Sequence, residues 1–573
     1  MRYPSIPIVL ALACATALAG AREPDVKLPD IGSSAAGLMS PQDLHDYGAS
    51  MLQELRGLGL VLDDALLDDY LDGLGYRLVA SSDKADSSFT FFIVRDEQIN
   101  AFAAPGGFVA ANAGLITAMQ REDELAAVLA HEISHVQQQH ILRAFEDVKK
   151  MSIPIMLAML GVMIATANRT DDAGMAAVVT GTSLIEQRQI NFTRSEEAEA
   201  DRVGIQTLAR AGYDPLAMAG AFQTLQKIMR VNGVDVPEFL MDHPLDTRRI
   251  AEAKARAEQL GCPAATPRVA APAAPLHEGA LNLSVPDRRS ADADTPVDEA
   301  AAAAASAAST ATVESASPGT ATLPRVAVSA CLARHAGEPY FELMRERTRV
   351  LAATSPAAMR AYYADNLRNP AFDTPANRYG YALALTRSGA APAAATELRK
   401  LVAAQPASAP LRLALAAAED QAGDKAASLA IYEQLAREFP GNRAITLTFA
   451  DALLARADRD SARRALDLLR PLVERYAEDP DLQRSFGRAN QLAGDRVRAA
   501  EAYAEAAWLG GHAEDALNQL KALAKESDLT YYQRSRIDAR ITRLTPAVLA
   551  LRKRGAPEEP SSLMPAFTCC APR

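Results

Sequence analysis

Apolar residues recur along this chain in two rhythms, and the change between them divides it. In the stretch DELAAVLAHEISHVQQQH, Leu125, Val128 and Leu129 fall on one face of a helix. Upstream, FTFFIVRD (residues 89–96) is β-branched and aromatic, the composition of a strand. Pro105-Gly106-Gly107 reads as a turn and Phe108-Val109-Ala110 as a short return strand. Such a hairpin is either purely structural or offers an edge to an extended peptide. Two apolar blocks follow between residues 153 and 185. The first, IPIMLAMLGVMIATA, has fifteen residues, short for a membrane span. The pattern therefore predicts a buried helical hairpin, with dipping into a membrane or covering a cleft as the alternatives.

From about 337 to 550 the rhythm becomes that of Ala/Leu/Arg-rich helices. Gly389 and Gly423 stand 34 residues apart, as do Pro406 and Pro440, and Ala457 continues the glycine series. That spacing is the tetratricopeptide (TPR) period, in which helix pairs stack into a solenoid with a concave contact surface. Pro480 comes 40 residues after Pro440, so the next repeat is irregular. Residues 337–370 read as an irregular cap.

Between these regions, residues 263–328 are dense in Ala, Pro, Ser and Thr, a composition that cannot bury a core and predicts a disordered linker. Residues 551–573 read as a disordered tail. The first 21 residues have the layout of a secretory signal, with Arg2, an apolar core and Ala19-Gly20-Ala21 for cleavage. A lipoprotein signal using Cys14 is the weaker alternative, because Ala11-Leu12-Ala13 is a poor lipobox. Export permits disulfides, and Cys262 with Cys331 flank the linker that such a bond would close. Cys569-Cys570 in the tail has no assigned role. At 573 residues the chain is long enough for two or more domains. A net charge of −11 argues against nucleic acid as a partner.

The chemistry concentrates in His131-Glu132-Ile133-Ser134-His135, an HExxH sequence. On a helix, His131 and His135 lie one turn apart on one face and can share a zinc ion. Glu132 is then placed to act as a base toward a water whose pKa zinc lowers to about 7. His140 lies about 140° around the helix from His135 and is set aside as solvated or structural. The third ligand is sought in TRSEEAEADRVGIQ, where Ser195 is a candidate helix cap and Glu196 and Glu199 read as a solvated acidic terminus. Glu197 and Asp201 are spaced i,i+4. One can bind the metal while the other accepts a hydrogen bond from a ligand histidine.

The HEISH helix, Arg194-x-x-Glu197-x-x-x-Asp201 and the earlier INAFAAPGGFV together resemble the HtpX/Ste24-type zinc metallopeptidases. The resemblance implies one zinc per chain held by His131, His135 and Glu197, with Glu132 as base. Asp201 and Arg194 would lie behind the ligands. It also implies that His243, in MDHPLDTRRI, is a fourth ligand or a transition-state stabiliser. The implied fold is mostly α: a helical zincin-type metallopeptidase domain with a small β-sheet over 35–262, then a TPR-like α-solenoid. Signal, peptidase and repeats in this order are similar to the BepA-like periplasmic proteases. That implies a periplasmic endopeptidase in quality control of outer-membrane β-barrel assembly. Unfolded or stalled outer-membrane proteins would be its substrates, and the barrel-assembly machinery would dock on the repeats. Peripheral membrane contact is a further expectation. The alternative is a non-proteolytic chaperone or scaffold with a plugged zinc site.

Overall fold

The computed structural model describes residues 40–143, 193–232, 243, 247–260 and 339–555. The signal segment with Cys14, the apolar blocks of 153–185, the linker with Cys262 and Cys331, and Cys569-Cys570 lie outside them.

Two helices, α1 (Pro41–Gly57) and α2 (Ala65–Ala80), precede a three-stranded sheet of β1 (Thr90–Val94), β2 (Ala101–Ala104) and β3 (Phe108–Asn112). The strand order is β1-β3-β2. β1 pairs parallel with β3, and β2 pairs antiparallel with it. This departs from the expected hairpin in two ways. The 105–107 turn joins β2 to β3, a strand at Ala101–Ala104 having gone unanticipated. The return strand is also the fully buried centre of the sheet, so β1 and β2 form its edges. The turn is possible because Gly106 and Gly107 adopt φ of 85° and 87°, a region that side chains disfavour.

Helices cover both faces of the sheet. On one side Phe92, Val94 and Phe108 pack with Leu52 of α1. On the other, Phe91, Ile93 and Val109 join Leu71, Leu74 and Leu78 of α2. The short α3 (Ala113–Ala118) leads into α4 (Glu122–Gln137), which carries HExxH. α4 is enclosed by α2, β2, β3 and the helix Ala217–Asn232. Leu125, Val128 and Leu129 are 0–1 % exposed, each contributing roughly 1.5–3 kcal/mol by leaving water. Its first turn holds Glu122, Asp123 and Glu124, carboxylates that favour the positive end of the helix dipole.

Residues 193–211 are helical from the first described position, so Ser195 lies inside this helix rather than capping it. It crosses α4 closely at Gly204, where a Cβ would stand 3.3 Å from the His131 nitrogen. The helix Thr247–Gln259 then packs on Ala217–Asn232.

From Pro339 onward the chain is a run of helices; Pro339–Ala352 and Pro356–Asn366 both pack on Pro375–Arg387, and from there each helix packs on the next. Gly389 and Gly423 close their helices at φ of 80° and 96°, and Ala457 takes the same left-handed conformation at φ 56°. The irregular spacing belongs to the helix Arg459–Arg475, which is 17 residues long and accommodates Pro471. The last helix runs to Gly555, past the expected boundary at 550. In the inner row, helices 375–387, 409–422, 443–454 and 480–493 touch in succession. The third of these meets α2, and Pro339–Ala352 meets α2 and α3. Ion pairs hold this seam. Arg347 grips Asp64 at 2.6 and 2.7 Å, and Arg443 reaches Asp68 at 2.7 Å and Asp479 at 2.9 Å. At the far end, Gly511 (φ 83°) lies so close to α1 that a Cβ there would be 2.1 Å from the Gln53 carbonyl. Among the described residues, no helix is long and apolar enough to cross a membrane.

Candidate metal centre

His131, His135, Glu197 and His243 converge from three separate segments, with one ligand-type atom of each within 4.8 Å of the others. α4 supplies both imidazoles on one face, as the i,i+4 spacing requires. His135 Nε2 lies 3.0 Å from His131 Nε2. Glu197 Oε2 is 3.4 Å from His131 Nε2, and its Oε1 is 3.4 Å from His135 Nε2. His243 Nδ1 lies 2.8 Å from Glu197 Oε1 and 3.3 Å from His131 Nε2. Nitrogen and oxygen donors at the corners of a tetrahedral zinc site, with bonds of about 2.0–2.1 Å, stand about 3.3 Å apart. These spacings and the His/Glu donor set fit such an ion.

Each inner side chain has a partner behind it. Asp201 Oδ1 lies 3.0 Å from His131 Nδ1, on the opposite side of that ring from the cluster. Arg249 bridges both acids of the 193–211 helix. Its Nη1 is 2.7 Å from Glu197 Oε2, and its Nε and Nη2 donate to the two Asp201 oxygens at 2.9 Å. The guanidinium also stacks 4.9 Å from the Phe222 ring centroid. Arg194, expected behind the ligands, is exposed. The arginine that reaches the site, Arg249, comes instead from the helix Thr247–Gln259. Sequence spacing gave no hint of Arg249 beyond its place six residues after His243.

Of the two roles expected for His140, solvated or structural, it takes the structural one. α4 ends at Gln137, and Gln139 takes a left-handed conformation at φ 57°. The chain therefore turns back, and the helical angle that set His140 aside does not apply. His140 is 2 % exposed, with Nδ1 2.9 Å from His135 Nδ1 and Nε2 3.2 Å from Glu199 Oε2. Glu199, expected as a solvated acid, is thus engaged, and Arg143 donates to the same oxygen at 3.0 Å.

Glu132 is buried beside the cluster, its Oε1 3.5 Å from His243 Nε2. Burial lowers His135 to about 3, leaving a neutral ring whose lone pair is available to a metal. Burial works against a charge on His131 too, but Asp201 and Glu197 reverse it and raise that ring to about 10. Burial would raise Glu197, yet His243 and His131 hold it well below the usual carboxylate range.

Residues 65–257 match the model of Peptidase family M48. Over 252 residues the chain is 41 % identical to the putative beta-barrel assembly-enhancing protease of Vibrio cholerae serotype O1, covering 44 % of this chain and 51 % of that one. It is 39 % identical over 233 residues to the beta-barrel assembly-enhancing protease of Escherichia coli K12, covering 41 % and 47 % respectively. It is 27 % identical over 208 residues to the mitochondrial metalloendopeptidase OMA1 of Schizosaccharomyces pombe, covering 36 % and 55 %. The chain thus spans about half the length of the relatives it matches.

Proposed function

We propose, on the premise that residues 65–257 match Peptidase family M48, that the chain is a zinc-dependent endopeptidase acting on misfolded or stalled outer-membrane β-barrel proteins in the periplasm. The observation that carries this reading is the convergence of His131, His135 and Glu197 beside buried Glu132. His131, His135 and Glu197 would hold one zinc. When bound, zinc supplies Lewis acidity that polarises a carbonyl and makes water acidic.

The chain's own groups do the rest. Glu132 takes the proton of the attacking water at its carboxylate and delivers it to the leaving amine. Asp201 and Arg249 keep the inner groups oriented, so little is lost to reorganisation during reaction. β2 is one of the two sheet edges and packs against α4, so an extended client paired to it by main-chain hydrogen bonds would run beside Glu132. The client class is taken from the names of the two bacterial relatives. The helical array, read as TPR-like, would dock the barrel-assembly machinery, with a chaperone role beside proteolysis.

A second reading is favoured by one observation: His243 Nδ1 already lies among the donors. A site closed by four protein groups leaves no place for substrate, which would make the chain a chaperone or scaffold with a plugged metal. Glu132 weighs against it, since a structural site has no use for a general base.

The test is Glu132→Gln on the full chain, with zinc content and cleavage of an unfolded outer-membrane protein measured together. Loss of at least about 10²-fold in cleavage with zinc retained is expected. Cleavage that survives the substitution would overturn the mechanism.

A further inference from the structure

The two HExxH histidines are held from behind in different ways. His131 Nδ1 meets a carboxylate directly, at Asp201. His135 Nδ1 meets another imidazole, His140 Nδ1, at 2.9 Å, with the rings nearly perpendicular at 85°. Two ring nitrogens at that distance share one hydrogen, so one of them donates and the other accepts. Glu199 and the donor cluster together decide which. The Glu199 carboxylate only accepts, so His140 Nε2, 3.2 Å away, carries a hydrogen. With that hydrogen alone on its ring, His140 has its lone pair on Nδ1. His135 must then donate from Nδ1, which leaves the lone pair of its Nε2 facing His131 and Glu197. The opposite order would place a hydrogen on His135 Nε2, inside the donor cluster, where it would block a metal.

We propose that Glu199 and His140 form a relay that fixes the tautomer and orientation of His135 as a metal ligand, with His140 a positioning residue that itself touches no metal. The inference rests on the zinc reading above. It also explains the left-handed Gln139: only a chain that breaks the helix after Gln137 brings residue 140 back against residue 135. The two arms differ in strength. Asp201 is buried and doubly bonded to Arg249. Glu199 is 30 % exposed and shared with Arg143. His135 is therefore the ligand with the weaker backing.

The experiment is a competition for zinc between the full chain and a chromophoric chelator, with histidine side-chain NMR of the zinc-loaded protein. His140→Leu keeps bulk but removes the acceptor. It should weaken zinc binding about 10- to 100-fold and abolish the downfield, exchange-protected Nδ1–H signal of His135. His140→Gln, whose amide can accept from His135 and donate to Glu199, should recover much of the affinity. Glu199→Gln, at a partly exposed position, should give a smaller loss with the His135 signal shifted. Wild-type chain that takes up no zinc would sink the metal reading itself, and the relay with it. Wild type that binds zinc while folded His140→Leu binds it equally well would overturn the relay alone. Should His140→Leu fail to fold, unchanged affinity and an unchanged His135 signal in Glu199→Gln would overturn it.

Discussion

His243 occupies an unusual position for a residue outside the HExxH helix. Its Nδ1 lies 2.8 Å from Glu197 Oε1 while its Nε2 faces Glu132 at 3.5 Å, so on the proposed reading it would engage both the metal pocket and the base. A substrate carbonyl and water need that space. His243→Ala should therefore raise cleavage of an unfolded client several-fold at unchanged zinc content. A collapse of turnover would instead make this ring a stabiliser of the transition state. At this scale the sequence was informative wherever function is local. HExxH and the i,i+4 pair Glu197/Asp201 have a fixed geometry on any helix, and the structure brings those residues together. It was uninformative where a partner arrives through a turn or from another helix. His140 needed the break at Gln139, and Arg249 needed the packing of Thr247–Gln259.

Among the elements, the sheet depends on a turn that tolerates almost no change. Gly107 has φ of 87°, and a Cβ there would stand 2.2 Å from the Ser88 carbonyl oxygen. Gly107→Ala combines left-handed strain of about 1–2 kcal/mol with a backbone collision. The expected result is a loss of more than about 2 kcal/mol in denaturant unfolding, together with loss of cleavage as β2 shifts. Wild-type stability would show that the turn relaxes at no cost. The turn was legible from Pro105-Gly106-Gly107, but not which strands it joins. Strand β2, AFAA, has four residues and little β-branched content, so its identity comes from pairing with β3 rather than from propensity. The solenoid spacing was legible because glycine and proline positions repeat. At Ala457 the conformation repeats although the glycine does not.

Across the whole molecule, the seam between α2 and the helical array is short of positive charge. Burial raises Asp69 to about 6 and Asp72 to about 7, and Arg443 only partly offsets this. Because their folded values exceed the unfolded ones, these acids stabilise the fold fully below about pH 4. That contribution is lost as pH rises through 6 and 7. Asp72→Asn should therefore raise the melting temperature at pH 8, on the order of 2 °C, and raise it less at pH 5. Equal effects at both pH values would show that the charge of Asp72 is not felt at the seam. None of this was legible in advance, because the acids lie on one helix and their counter-charges hundreds of residues away.

That separation also has a meaning in time. Arg443 is 375 positions from Asp68, and Arg347 is 283 from Asp64. A ribosome adds residues from the amino end at roughly 5–20 per second, so the peptidase half is complete in sequence well before Arg443 exists. Through that interval α2 carries its aspartates without the guanidinium that will face them. The array follows the peptidase half in the chain, so the contacts between them are long-range closures rather than local assembly.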